Sequence, residues 1–306
     1  MRKALMIGST VADILIRVDH LPSLEEDVNP LGQTISLGGC CYNVSHMLEL
    51  NDVPYTLFSP VGTGLYGTFV CSKLKEQGIE PVLISNEENG CCYCIVDRQG
   101  SRTFLAVHGT EYRFRKEWFD RLDTREYTDA YICGLEVEEP SGAYIVEFIQ
   151  NHPELNVFFA PSARIMHVQK ERMEAILDVS PIVHLNRREA EWYLGECGVL
   201  EDAGCDIGRL ASLLNRRTRN IVFVTDGANG AAACEGETVL YEPAVKARAI
   251  DGTGAGDAHI GTIMMMLMKG KSLKEALVFA NRVAGRVTEV TGAVLSEEEY
   301  EKIRPR

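Results

Sequence analysis

The chain has 306 residues, 45% of them hydrophobic, which is enough to bury a sizeable core. Its 44 acidic and 31 basic residues leave a net charge of −13, which argues against a surface for nucleic acid, since phosphate backbones are met by clustered Lys and Arg. Ten cysteines are scattered without the paired spacing of zinc sites, and the run Cys91-Cys92-Tyr93-Cys94 alternates like a strand, so neighbouring thiols should face opposite ways rather than converge on a metal.

In chain order, the apolar run 4–7 bounded by Gly8-Ser9 reads as a buried parallel strand. It is too short for the core of a signal peptide, and the apolar segment 260–268 is far short of the roughly 20 residues a membrane helix needs. We therefore expect a cytoplasmic, unanchored protein with no membrane partner. Extended pieces at 14–18 and 33–37 lead into Gly38-Gly39, after which a helical period runs from 41 to 50 and Pro54 precedes a strand at 55–58. A helix at 65–77 stops at Gly78, and 92–96 with 103–107 form a hairpin around Asp97-Arg98-Gln99-Gly100. Together with the pieces near 14 and 33, this hairpin would make a small β flap over an active site.

From residue 129 onward the alternation is regular. Strands are expected at 130–133, 156–160, 182–185 and 221–224, and helices at 143–150, 168–177, 188–194 and 207–215, which implies a parallel sheet covered on both faces. A hairpin, 231–234 with 238–241, precedes the turn Asp251-Gly252-Thr253-Gly254-Ala255-Gly256-Asp257, which opens an apolar helix. Helices at 272–290 and 297–303 close the chain. Ligands of such sheets bind beyond the carboxyl ends of the strands. There the sequence sets Asp13, Gly38-Gly39, Asn43 and Glu136, whose polar groups suit a polyol, and also Asn186, Glu189, Thr225, Gly227 and Gly230, which suit a nucleotide. The glycine turn at the head of a helix is an anion site, because first-turn N–H groups lack intrahelical partners and sit at the positive end of the dipole.

Over essentially its whole length the sequence resembles the ribokinase-like (PfkB) carbohydrate kinases. The resemblance is carried by Asp251 to Asp257, with Gly252 where the family usually has Thr; by Gly38-Gly39-Cys40-Cys41-Tyr42-Asn43; by Gly8-Ser9-Thr10-Val11-Ala12-Asp13; by Asn186-Arg187-Arg188-Glu189; and by Thr225-Asp226-Gly227-Ala228-Asn229-Gly230. It implies a three-layer α/β/α sandwich with a mainly parallel central sheet and a small β-sheet lid. One domain would span 1–306, with lid strands within about 13–38 and 91–108. It also implies phosphoryl transfer from ATP to a hydroxyl, with Asp257 as general base and the amides of Gly254, Ala255 and Gly256 as anion hole. Asp13, Gly39, Asn43 and Glu136 match the positions that hold the sugar. Asn186, Thr225, Gly227 and Gly230 match the nucleotide positions, with Asn281 beside the adenine, and Glu189 would position Mg²⁺ through water. In relatives that use K⁺ the matching ligands are Asp251, Ser296 and the carbonyls of Thr253, Val287, Val290 and Gly292, an all-oxygen set suited to a hard cation.

Val11 and Cys40 stand where ribokinases proper have Asn and Lys, and loss of that Lys speaks against a phosphosugar acceptor. Val11, Cys40, Tyr42 and Tyr66 suggest an apolar, aromatic pocket, which keeps a nucleoside acceptor of the adenosine or pseudouridine type open beside an unphosphorylated sugar. A non-catalytic sugar- or nucleotide-binding regulator is disfavoured because a binding module has no use for the base Asp257. A dehydrogenase is disfavoured because no Gly-x-Gly-x-x-Gly follows the first strand. A homodimer through the lid is expected.

Overall fold

The computed structural model describes residues 2–100, 102–200 and 204–304. The central sheet has eight strands in the order β14-β13-β12-β11-β10-β9-β1-β4. These are β1 (Ala4–Ile7), β4 (Tyr55–Phe58), β9 (Asp129–Cys133), β10 (Asn156–Ala160), β11 (Ile182–Asn186), β12 (Val222–Thr225), β13 (Ala231–Glu235) and β14 (Thr238–Glu242). All neighbours run parallel except β12–β13 and β13–β14, which are antiparallel.

The side-chain alternation of β1 shows why both faces need cover. Ala4 and Met6 enter one apolar cluster and Leu5 and Ile7 the other. The first face is covered by α1 (Cys40–Glu49), α2 (Gly64–Glu76), α9 (Ala255–Met268), α10 (Leu273–Val287) and α11 (Glu297–Glu301). The second is covered by α3 (Lys116–Phe119), α4 (Gly134–Glu138), α5 (Gly142–Asn151), α6 (Lys170–Asp178), α7 (Arg187–Glu196) and α8 (Ile207–Thr218). Helix α9 is apolar nearly all round, as a helix packed between α1, α10 and the sheet must be. Where α9 meets α1, a Cβ on Gly261 would lie 2.8 Å from the Val44 carbonyl oxygen, so glycine sets how closely the two helices approach.

The lid is a separate four-stranded sheet, β3-β2-β7-β8. Its strands are β2 (Val11–Arg17), β3 (Gly32–Gly38), β7 (Cys91–Val96) and β8 (Arg102–Val107). Ala12, Ile14 and Cys91 pack on the core, which turns Asp13, Cys92 and Cys94 to the opposite face. A two-stranded parallel pair, β5 (Pro60–Thr63) and β6 (Leu83–Glu88), was not expected from the sequence, because Leu-Ile-Ser-Asn-Glu-Glu offers little apolar alternation. The helix expected over 272–290 ends at Val287, its last turn giving way to the loop that carries Gly292. Among the described residues no helix is long and apolar enough to cross a membrane.

Candidate active site

Two helix N-termini meet beside the lid. In α9 the N-cap is Gly254, at φ +75°, and a Cβ there would stand 2.1 Å from the Ala293 carbonyl oxygen, so only glycine fits. The preceding turn is shaped by Asp251. Its Oδ1 accepts the Thr253 N–H at 2.9 Å, and its Oδ2 accepts the Gly292 N–H at 3.3 Å. Asp251 is nearly enclosed and faces inward, with the Arg102 guanidinium of β8 at 3.7 Å. A Cβ on Gly252 would meet Arg102 Nη1 at 2.7 Å, so the missing Thr side chain leaves room for this arginine. The Thr253 hydroxyl is buried without a partner.

Asp257 lies in the first turn of α9, where Asn43 of α1 donates its amide N–H to Oδ2 at 2.8 Å. Burial pushes the Asp257 carboxyl up to about 6, while the Asn43 amide and the Cys40 thiol pull it down. Asn43 also leaves Oδ1 buried and unpartnered. Helix α1 can start here because Gly39 adopts φ +97°; any Cβ would sit 2.6 Å from the Ser9 carbonyl oxygen.

Asp13 projects from β2 toward this point, pushed up to about 7 by burial and then by the charge of Asp257. Gly38 makes space for it, since a Cβ there would lie 1.9 Å from Asp13 Oδ2. Glu136 is fully enclosed, and its Oε1 accepts the Ser9 N–H at 2.8 Å while Oε2 has no partner. Burial raises it to about 7 as well. It lies against the turn after β1.

On the other side, Asn186 caps α7. Its Oδ1 accepts the Glu189 N–H at 2.9 Å, Glu189 Oε2 accepts the Asn186 N–H at 2.9 Å, and Asn186 Nδ2 donates to Glu189 Oε1 at 2.6 Å. Both Glu189 oxygens are thus engaged. Burial still lifts this carboxyl to about 7, opposed by the Asn186 hydrogen bonds and aided by Asp257. Thr225 ends β12, and Gly227 and Gly230 bracket the turn into β13. Gly230, at φ +106°, would bring a Cβ within 2.2 Å of the Glu242 carbonyl oxygen.

Asn281 is spent inside the protein. Its Nδ2 donates to the Glu242 and Pro243 carbonyls at 2.9 and 3.1 Å, and its Oδ1 accepts from His259 Nε2 at 3.0 Å. His259 Nδ1 in turn accepts from His184 Nε2 at 2.9 Å. This buried chain connects the loop after β14 to α9 and β11.

Around 287–296 the Val287 carbonyl accepts the Val290 N–H at 3.2 Å, and the Ser296 hydroxyl accepts the Glu299 N–H at 3.2 Å as N-cap of α11. The expected aromatic lining needs correction. Tyr42 is buried with its hydroxyl on Gln77 at 2.9 Å, and Val11 is enclosed, so neither faces an open pocket. Arg102 and the His184–His259 pair were not found from the sequence, because their partners are distant in the chain and no motif marks them.

This cluster sits at the carboxyl ends of β1, β9, β11 and β12, and a profile of the pfkB family carbohydrate kinases matches residues 1–299. The chain belongs to that family. The kinase is 24% identical over 287 residues to an uncharacterized sugar kinase of Escherichia coli, covering 94% of this chain and 88% of the relative. It is likewise 24% identical over 290 residues to the ribokinase of Bacillus subtilis, covering 93% and 92%. Among solved structures, a ribokinase from Giardia lamblia superposes with a TM-score of 0.82 at 20% identity, covering 99% of this kinase and 98% of that chain. A Cryptococcus neoformans ribokinase in complex with ADP gives 0.76 at 21% identity, covering 99% and 100%. A Burkholderia thailandensis nucleoside kinase in complex with inosine gives 0.76 at 16% identity, covering 99% and 97%. The ribokinase fold and the enzyme class, a carbohydrate kinase, follow.

Proposed function

We propose that the kinase transfers the γ-phosphoryl group of ATP to a hydroxyl of an unphosphorylated sugar or sugar-like alcohol, with Asp257 as general base. One observation carries this: a carboxylate raised to about 6 stands in the first turn of the amide-rich helix α9 and is oriented by Asn43. A base of that pKa is mostly ionised at pH 7 yet basic enough to take a hydroxyl proton as the O–P bond forms. The opening amides, Gly254, Ala255 and Gly256, would hold the charge that spreads over the transferring phosphoryl.

Asp13, Asn43 and the Gly39 turn would bind the acceptor. Glu136 would act by fixing the Ser9 turn. Asn186, Thr225, Gly227 and Gly230 would line the nucleotide, with Asn281 holding the loop that borders it. Mg²⁺, when bound, neutralises phosphate charge. Glu189 fits it through water, because both carboxylate oxygens already serve the α7 cap. The oxygens of Asp251, Thr253, Val287, Val290, Gly292 and Ser296 have the chemistry for K⁺, and the orphaned Thr253 hydroxyl is consistent with an ion nearby. We further propose one domain over 1–306 acting in the cytoplasm, whose lid excludes water during transfer and pairs with a second copy.

The decisive experiment is a screen of sugars and nucleosides for ATP-to-ADP conversion. Turnover with a sugar and none with nucleosides supports the reading. The reverse would replace it with a nucleoside kinase, and no turnover at all with ATP still bound would favour a binding protein.

A further inference from the structure

The lid carries three donor groups that phosphoryl transfer does not use together. In the parallel β2–β7 register Asp13 stands opposite Cys92, and Cys94, two residues on, projects from the same face of β7. The sulfurs of Cys92 and Cys94 are 3.9 Å apart. With one Asp13 carboxylate oxygen they form a triangle in which every pair lies within 4.8 Å. Two sulfurs bound at about 2.3 Å to a tetrahedral zinc ion are themselves about 3.8 Å apart, so the thiols already hold the spacing of a chelate. The alternation of the cysteine run does separate Cys91 from Cys92, but it aligns Cys92 with Cys94, and the third donor comes from another strand.

The surroundings suit a cation. Cys94 is buried, Asp13 and Cys92 are half-buried, and all three lie on regular strands, so little must be ordered on binding. The negative charges of Asp257 and Asp251 reach Asp13 and Cys94 respectively. Of the nearby cations, Arg102 is engaged with Asp251 and Arg17, on β2, with the Thr291 hydroxyl. Two sulfurs and one oxygen prefer a borderline-soft ion to Mg²⁺ or K⁺, and three protein ligands leave a fourth position for water.

We propose that Asp13, Cys92 and Cys94 form a binding site for a divalent ion of the zinc type, and that the ion excludes the acceptor by taking the carboxylate that would hold it. The metal site stands on donor geometry alone; the exclusion rests on the acceptor reading above. On binding, both thiols release their protons to solvent, and two thiolates with one carboxylate more than balance the charge of the ion. No oxidation is involved.

The test is a Co²⁺ titration of the full-length protein, followed by sulfur-to-cobalt charge-transfer absorption. We expect one equivalent to produce the band, Zn²⁺ to abolish it by displacement, and a folded Cys92→Ser/Cys94→Ser variant to lack it. Absence of the band in the wild type, or an unchanged band in the double variant, overturns the site. With an accepted sugar in hand, Zn²⁺ should raise the acceptor KM without lowering kcat at saturating acceptor, and its potency should fall by at least about tenfold in the double variant. Cobalt binding without an effect on KM would keep the site and refute the exclusion. Failure to find any acceptor would refute the function and leave the cobalt result to decide the site.

Discussion

Asn43 donates its side-chain N–H to Asp257 at 2.8 Å and so joins the first turns of α1 and α9. The bond stabilises the ionised form and so opposes burial, which still leaves the carboxyl raised to about 6. With Asp257 as the proposed base, turnover should need its ionised form, so activity should be present above its pKa and lost below. Asp13, at about 7, is electrostatically coupled to it, and the acid limb belongs to the pair. We expect kcat/KM to fall with an apparent pKa between about 6 and 7, well above the usual carboxylate range. Asn43→Ala should move this limb upward. A limb near 4, or one that Asn43→Ala leaves in place, would remove Asp257 from the role.

The same burial sets activity against stability. The folded-state pKa of Asp257 lies above its ordinary 3.8, so between about 4 and 6 the folded state binds more protons than the unfolded chain. Its ionised form therefore destabilises the fold at neutral pH, and the penalty disappears as pH falls through that window. Asp257→Asn should be more stable than wild type at pH 8 by on the order of 1–3 kcal/mol, and the gap should close toward pH 4. The same variant should lose about 10²–10⁴ in kcat and keep its ATP affinity. Urea titrations at the two pH values, with calorimetry for ATP, check both statements.

The fold was legible where burial on both sides leaves an unbroken apolar strand. Ala4 to Ile7 and Ala130 to Cys133 admit no other place than the middle of a covered sheet. The polar β6 was not legible, since a strand that buries only Leu83 and Ser85 carries no such demand. At the site, Asp257, Asn43 and Asp13 were found through motifs, and Asn186 with Glu189 through cap spacing. Arg102 was hidden because its partner Asp251 is brought to it only by the lid crossing the sheet. Tyr42 misled for the opposite reason: its position in a binding motif says nothing about which side of α1 it occupies, and it is buried in the core with its hydroxyl on Gln77 at the end of α2.

Neighbouring glycines of the turn should behave differently. At Gly254 a side chain would need φ +75° and would overlap the Ala293 carbonyl, a backbone atom that cannot step aside. Gly254→Ala should cost at least about 1–3 kcal/mol and abolish turnover. At Gly252 the obstacle is the end of the Arg102 side chain, which can move. Gly252→Thr, which restores the usual family residue, should fold with near wild-type stability while displacing Arg102 from Asp251. Thermal melts separate the two, and equal losses at both positions would refute the steric argument.

The buried pair His184 and His259 should make the nucleotide side of the kinase sensitive to acid. Because Asn281 Nδ2 already donates to the Glu242 and Pro243 carbonyls, its Oδ1 must accept from His259 Nε2, which leaves His259 Nδ1 to accept from His184. The His259 ring is then neutral, and burial holds His259 down to about 4 and keeps His184 neutral as well, well below its ordinary value. The unfolded chain binds protons first as pH drops below about 6.5, so this pair costs stability progressively between that value and about 4. Replacing His259 with Gln keeps an amide able to hydrogen-bond and removes its share of the loss. Relative to wild type, His259→Gln should therefore gain about 2 kcal/mol between pH 7 and pH 5, whatever its stability at pH 7. The carboxylates, present in both proteins, drop out of this difference. A wild-type-to-variant gap that stays constant across the two pH values would show that His259 is not held neutral.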